Sequence, residues 1–242
     1  MNQSVLKQQN AIASAGVTMA EAEPQAAAPL TFALSSALAT ISEPSKEQAE
    51  SIRVLRTHVM AQHVDQGRRA LSICAVNPDA GCTLVAANLA VALSQIGVKT
   101  LLIDGDLRNP GIEGLIRPSR PVAGLQQCLS AEDGDFSAFI QQDVLPDLSV
   151  MYSGGVPPNP QELLAGDRFK TLMDQCLRDF QMTIIDTPPA MSCADSRRVS
   201  SVVGYSVVVA RQHQSRITDI GTLIAQLQQD GAKVVGTVLR EV

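Results

Sequence analysis

The sequence predicts an α/β fold built on a mostly parallel, doubly wound sheet. Three observations carry that expectation. The stretch Leu71–Leu89 reads as a buried strand (Leu71–Val76), a tight loop (Asn77–Gly81) and a helix from about Cys82. Two further apolar runs, Lys99–Ile103 and Gln181–Ile185, each lead into an aspartate. Strand-like and helix-like segments alternate, which calls for parallel strands joined by helices that cover both faces.

The elements follow in order. Residues 1–44 are rich in Ala, Gln, Ser and Glu and contain Pro24 and Pro29, so they read as a disordered N-terminal arm, with a short amphipathic helix around Leu30–Leu38 as the one local exception. The folded domain is expected over 45–242. Ser45 is placed to cap a helix that puts Ile52, Leu55 and Val59 on one face. A helix over Thr83–Gln95 stops at Gly97. After Lys99–Ile103 come turns at Asn109–Gly111, a short helix near Gly124–Ser130 and a strand at Leu148–Tyr152. The rigid loop Gly154–Pro160 leads into a helix over Gln161–Phe180. The strand Gln181–Ile185 follows, then Ser206–Ala210, a helix over Thr218–Gln229 and a last strand over Lys233–Leu239.

Composition narrows the function. The chain has 242 residues, 45% hydrophobic and 18% charged, with a net charge of −5. That supports one sizeable core and gives no basic footprint for nucleic acid. No apolar run reaches the roughly 20 residues of a membrane span, and Met1–Asn10 lacks the pattern of a signal peptide. The five cysteines are scattered without a C-x-x-C pair, which fits a reducing cytoplasm and no cysteine metal site.

Three strand ends carry the candidate chemistry. Strand, loop and helix over 71–89 form the setting in which backbone N–H groups and a helix N-terminus hold a polyphosphate. The loop residues Asn77, Pro78, Asp79, Ala80, Gly81, Cys82 and Thr83 are the candidate nucleotide-binding set, with Arg211 and Arg240 beyond later strands. Asp104 and Asp106 follow the second strand, and Asp186 ends the third. With Thr83, these carboxylates are oxygen ligands of the kind Mg²⁺ takes. Each aspartate alone reads more often as a turn former or a helix cap, and only the ordered set points to a metal. Glu50, Arg53 and Arg56 share a flank of the first long helix, where they read as a solvated charged face.

Taken together, the motifs resemble the cytoplasmic domain of bacterial tyrosine kinases (BY-kinases) of exopolysaccharide and capsule synthesis, within the partitioning-type P-loop ATPases. Leu101–Arg108 is similar to the family's hhhDxDxR motif, and Thr183–Pro189 to its hhhDxxP motif (h apolar). Gly155–Pro160 with Glu162-Leu163-Leu164 resembles its G-x-x-P-P-N-P-x-E-L-L segment. Glu50-x-x-Arg53-x-x-Arg56 resembles the ExxRxxR motif by which family members pack into rings. The resemblance covers roughly 44–242 and implies a P-loop NTPase fold. It implies Asp104, Asp106 and Arg108 as catalytic residues, and Thr83, Asp104 and Asp186 as a Mg²⁺ site serving ATP. It also implies a homo-oligomer through Glu50, Arg53 and Arg56, a membrane-embedded chain-length (co-polymerase) protein as partner, and a cytoplasmic location, peripheral to the inner membrane through that partner.

The loop departs from the family's pattern, P-G-E-G-K-[ST]. Here Cys82 stands where the pattern has Lys, and Asp79 where it has Gly. A carboxylate ~4 Å from a phosphate charge costs about 4 kcal/mol at an effective dielectric of ~20, about a thousandfold in affinity. A helix N-terminus can lower the pKa of a thiol and make it reactive, but Cys82 reads first as a small residue tolerated where Lys is no longer needed. The family's Asn near the adenine is Arg240 here, and a Tyr-rich tail is lacking. Tyr152 and Tyr205, the two tyrosines, fall in expected core strands. The expectation is a catalytically impaired, pseudokinase-like regulatory protein. An active ATP-dependent tyrosine kinase and a positioning ATPase of the partitioning type are the alternatives.

Overall fold

A computed structural model describes residues 29–131 and 135–241. Its centre is a seven-stranded sheet. In chain order the strands are β2 (Ala70–Ala75), β3 (Thr100–Asp104), β5 (Gln141–Leu145), β6 (Leu148–Met151), β7 (Met182–Asp186), β8 (Tyr205–Arg211) and β9 (Lys233–Arg240). Their spatial order is β5-β6-β3-β7-β2-β8-β9, parallel throughout except for the edge pair β5–β6. Every residue of β2, β3, β6 and β7 is buried. Helices on both faces impose this, so these strands are near-continuous apolar runs rather than alternating ones.

The helix after β2, α3 (Cys82–Ser94), is buried continuously from Val85 to Ser94. It lies between the sheet and α2 (Glu47–Gln62), whose Ala49 and Val59 face inward. On the other side, α7 (Asp167–Asp179) buries Phe169, Leu172, Met173 and Cys176, the i, i+3, i+4, i+7 stripe of an amphipathic helix. The helix expected over Gln161–Phe180 is two, α6 (Pro160–Ala165) and α7. Gly166, extended at φ −66° and ψ 157°, ends one and caps the other.

The expectation of a disordered arm through residue 44 is corrected for residues 29–44; residues 1–28 lie outside the described residues. Strand β1 (Phe32–Leu34) pairs antiparallel with β4 (Ile116–Pro118), and a short helix, α1 (Ala39–Ser42), follows. There is no helix over Leu30–Leu38. The anchor is Asn88, a polar residue in the buried stretch of α3. Its Nδ2 donates to the Ala37 carbonyl at 3.1 Å and its Oδ1 accepts from the Ala39 N–H at 2.9 Å. Leu38, held between them, is fully buried in the main core. Among the described residues no helix is long and apolar enough to cross a membrane.

Candidate functional site

Strands β3, β7 and β2 are neighbours, so the segments leaving their carboxyl ends meet. Asp104 and Asp186 are register partners in adjacent parallel strands. Their Cα atoms are therefore about 4.8 Å apart with both side chains on one face. Gly105 follows, and a Cβ there would lie 2.5 Å from the Asp186 carbonyl oxygen, so only glycine fits between the two acids. Asp104 Oδ2 accepts from the N–H groups of Gly111 (3.1 Å) and Ile112 (3.0 Å). Its Oδ1 and both carboxylate oxygens of Asp186 are buried without a hydrogen-bond partner.

Burial drives the protonation of these groups. It pushes the Asp104 carboxyl up to about 7, and the neighbouring Asp106 charge adds to this. The Asp186 carboxyl is held far above the usual carboxylate range by burial and then by Asp104; the nearby Thr83 hydroxyl opposes this without reaching hydrogen-bond geometry. Thr83 packs on Gly111, where a Cβ would lie 2.8 Å from Thr83 Cγ2. Thr83, Asp104 and Asp186 are thus brought together, with three buried acid oxygens that lack donors. This set fits Mg²⁺, a hard cation that takes oxygen ligands, keeps several waters and displaces such protons. Among the described residues no cluster of three or more His, Cys, Asp or Glu forms a fuller cage.

Asp106 is a different case. Its Oδ1 accepts from the N–H groups of Arg108 (3.0 Å) and Asn109 (2.9 Å), so one oxygen closes the turn after β3. Burial raises its pKa. Arg108 turns its guanidinium to Asp195, at the first position of α8 (Asp195–Val203). Sequence reasoning missed both α8 and Asp195.

In the loop, Pro78 and Asp79 are exposed, while Asn77 keeps a buried Oδ1 with no partner. Asp79 has φ 63°, a left-handed conformation that glycine takes most easily and that Asp tolerates better than most residues. Gly81, at φ 90°, is the N-cap of α3. The reactive-thiol reading of Cys82, the lesser of the two its position offers, is not supported. Burial, then the Asp186, Cys74 and Asp106 charges, push its pKa well above the ordinary thiol value. Desolvation and anions outweigh the helix terminus, and the group stays a neutral thiol.

Two arginines converge on this loop. Arg211 and Arg240 are register partners at the ends of β8 and β9, so their side chains leave the same face. Arg211 Nη1 donates to the Asp79 carbonyl at 3.4 Å. Arg240 lies on the loop itself, its Nη1 only 2.5 Å from where a Gly81 Cβ would be. The resemblance put residue 240 at the adenine end; its guanidinium is against the loop that would hold phosphate.

Glu50, Arg53 and Arg56 are not part of this site. Arg53 Nη1 pairs with Glu50 at 2.9 Å and its Nη2 donates to the Pro44 carbonyl at 2.7 Å. Arg56 Nη1 donates to the Ala92 carbonyl at 3.3 Å, ten residues and about 15 Å along α3 from the loop. Tyr152 is buried just after β6 and donates to the Ile116 carbonyl at 2.9 Å; Tyr205, half-buried, opens β8.

No family model matches the chain. Tyrosine-protein kinase etk of Escherichia coli K12 is 31% identical over 202 residues, 84% of this chain and 28% of that kinase. The putative tyrosine-protein kinase CapB of Staphylococcus aureus is 29% identical over 199 residues, 82% of this chain and 86% of CapB. The chain thus spans little more than a quarter of the first curated relatives it matches. The solved kinase domain of Escherichia coli tyrosine kinase ETK has 30% identity and a TM-score of 0.77, over 85% of this chain and 80% of that domain. The chimerical protein CapA2B2 has 32% identity and a TM-score of 0.75, over 85% and 89%. The septum site-determining protein MinD of Pyrococcus horikoshii, complexed with Mg-ADP, has 20% identity and a TM-score of 0.59 over 71% of this chain and 69% of its own, a likeness of fold alone. From the mostly parallel sheet, the loop and acids at its strand ends, and relatives 30–32% identical over most of this chain, the chain belongs to the bacterial tyrosine kinase family and has that family's P-loop ATPase-type fold.

Proposed function

We propose that this protein is a regulatory member of the BY-kinase family in exopolysaccharide synthesis, impaired in phosphoryl transfer. It would act by binding a membrane-embedded chain-length protein and by assembling with copies of itself through Glu50, Arg53 and Arg56. The observation that carries the reading is Cys82. In a P-loop the lysine at this position reaches the β/γ-phosphates and offsets the charge that develops during transfer. A half-buried, neutral thiol supplies no such charge.

The magnesium side of the site supports descent from an active kinase. Thr83, Asp104 and Asp186 would hold the ion, which supplies charge neutralisation for a bound triphosphate. Asp104 and Asp106 are the carboxylates beside which an acceptor hydroxyl would be deprotonated. Their retention also favours the second reading, an active ATP-dependent tyrosine kinase. Incubating the full chain with ATP and Mg²⁺, with and without the membrane chain-length protein, separates the two. The proposed function expects co-purification with that protein and no phosphotyrosine on either. Phosphotyrosine that disappears in Asp104→Ala would establish the active kinase instead.

A further inference from the structure

We propose that Arg240, with Arg211 beside it, supplies the positive charge the loop lost with its lysine, so that the loop still takes the di- or triphosphate of a nucleotide. The inference rests on the reading above that this is a P-loop descended from a kinase. It adds which residues bind there and which ligand they take.

The two guanidinium groups leave the same face of adjacent strands and meet the loop from the sheet's β8–β9 side. Arg240 lies against Gly81, the N-cap of a 13-residue helix. Among the described residues no carboxylate forms an ion pair with Arg240 or Arg211. Among the described residues the Arg211 guanidinium has one hydrogen bond, 3.4 Å to the Asp79 carbonyl, and its Nε is buried without an acceptor. Two cations beside the positive end of a helix repel one another and the helix. An anion seated among them turns that repulsion into attraction, through charge-assisted bonds to the guanidinium planes and backbone N–H groups.

Two observations name the anion's class. The loop–helix geometry is that of a polyphosphate cradle. Thr83, Asp104 and Asp186 stand beside it with unsatisfied oxygens suited to the cation that accompanies a polyphosphate. The altered loop also meets a smaller electrostatic penalty than its sequence implies. Asp79 is exposed, and two arginines face the ligand. Charge delivered from β9 binds the ground state. It does not take the lysine's position on the transferring phosphate, so affinity persists without turnover.

The test is calorimetric titration of the full chain, in Mg²⁺, with ATP, ADP, pyrophosphate and adenosine. The wild type is expected to bind ATP and ADP, and adenosine much more weakly. Arg240→Gln is expected to weaken ATP binding at least about tenfold, the scale of one charge-assisted bond, while Arg240→Lys keeps most of it. Unchanged thermal melting without ligand shows that each variant folds. The proposal is overturned if Arg240→Gln binds ATP as tightly as, or more tightly than, the wild type, because the guanidinium would then be a plug. It is also overturned if neither ATP nor ADP binds the wild type, or if pyrophosphate binds as tightly as ATP. Phosphotyrosine, which decides the regulatory reading, is a separate readout.

Discussion

Arg108 and Asp195 form a two-point ion pair, Nε to Oδ2 at 2.7 Å and Nη2 to Oδ1 at 3.3 Å. Asp195 is 1% exposed, whereas the Arg108 side chain is 37% exposed. The pair ties the turn after β3 to the first turn of α8, which follows β7. It therefore spans the two strand exits that carry Asp104 and Asp186. The family motif assigns Arg108 to catalysis; its geometry here fixes the frame of the acids.

Removing that arginine strands a buried carboxylate. Arg108→Ala is expected to destabilise the protein by about 2 kcal/mol, less than for a fully buried pair because water reaches the arginine side. Adding Asp195→Asn to Arg108→Ala is expected to recover part of the loss. Urea unfolding of the two variants checks both signs.

The acid pair depends on Gly105. Gly105→Ala places a Cβ 2.5 Å from the Asp186 backbone oxygen, so β3 and β7 must separate at their register pair. The expected cost is about 1–3 kcal/mol. Gly114→Ala, in α4 (Ile112–Leu115) with nothing within 4 Å, is the control and is expected to be neutral or slightly stabilising. Denaturation midpoints of the two variants give the comparison.

Magnesium should act through Asp186. Its carboxyl is buried with both oxygens unpaired, and burial raises its pKa, so without a cation the neutral form is favoured over an uncompensated charge. Asp186→Asn mimics that neutral form and is expected to match or exceed the wild type's melting temperature in EDTA. Added MgCl₂ should raise the melting temperature of the wild type and leave that of the variant unchanged. Thermal melts with and without the metal measure both.

His63 links stability to acid pH away from the site. Its Nε2–H donates to the Ala70 carbonyl at 2.8 Å, its ring meets Tyr205 edge-on, and its Nδ1 is buried with no partner. Burial lowers its pKa below 6.5, with Arg68 adding to the effect. The unfolded chain therefore takes up a proton that the folded chain refuses. The contribution is fully present above pH 6.5 and is lost as pH falls toward the folded value. His63→Gln keeps a donor for Ala70 and should flatten that part of the stability–pH curve.

The central strands were legible because β2, β3 and β7 are fully buried apolar runs whose exits carry aspartates or a glycine loop. The placing of Asp104 and Asp186 at strand ends was legible for the same reason, whereas their grouping with Thr83 as a metal site came from the family resemblance and not from spacing. Helix α8 was not, because its buried face is Asp195, Ser196, Val199 and Ser200, which gives no apolar period. Ser200 packs by hydrogen bonds instead: its Oγ lies 2.9 Å from Ser72 Oγ, which lies 2.8 Å from Ser206 Oγ. Strand β1 has three residues and finds its partner more than eighty residues later, so no local signal announces it. The meeting of Arg211 and Arg240 is likewise a matter of register between strands.

The loop keeps its acids and the arginines proposed to bind its anion, but it lacks the lysine needed for transfer. The most direct measurement is ATP turnover by the wild type and by the double variant Asp79→Gly with Cys82→Lys, at saturating Mg²⁺. The wild type is expected to release no phosphate above background and the double variant to gain measurable hydrolysis. Turnover by the wild type at the double variant's rate would contradict the account.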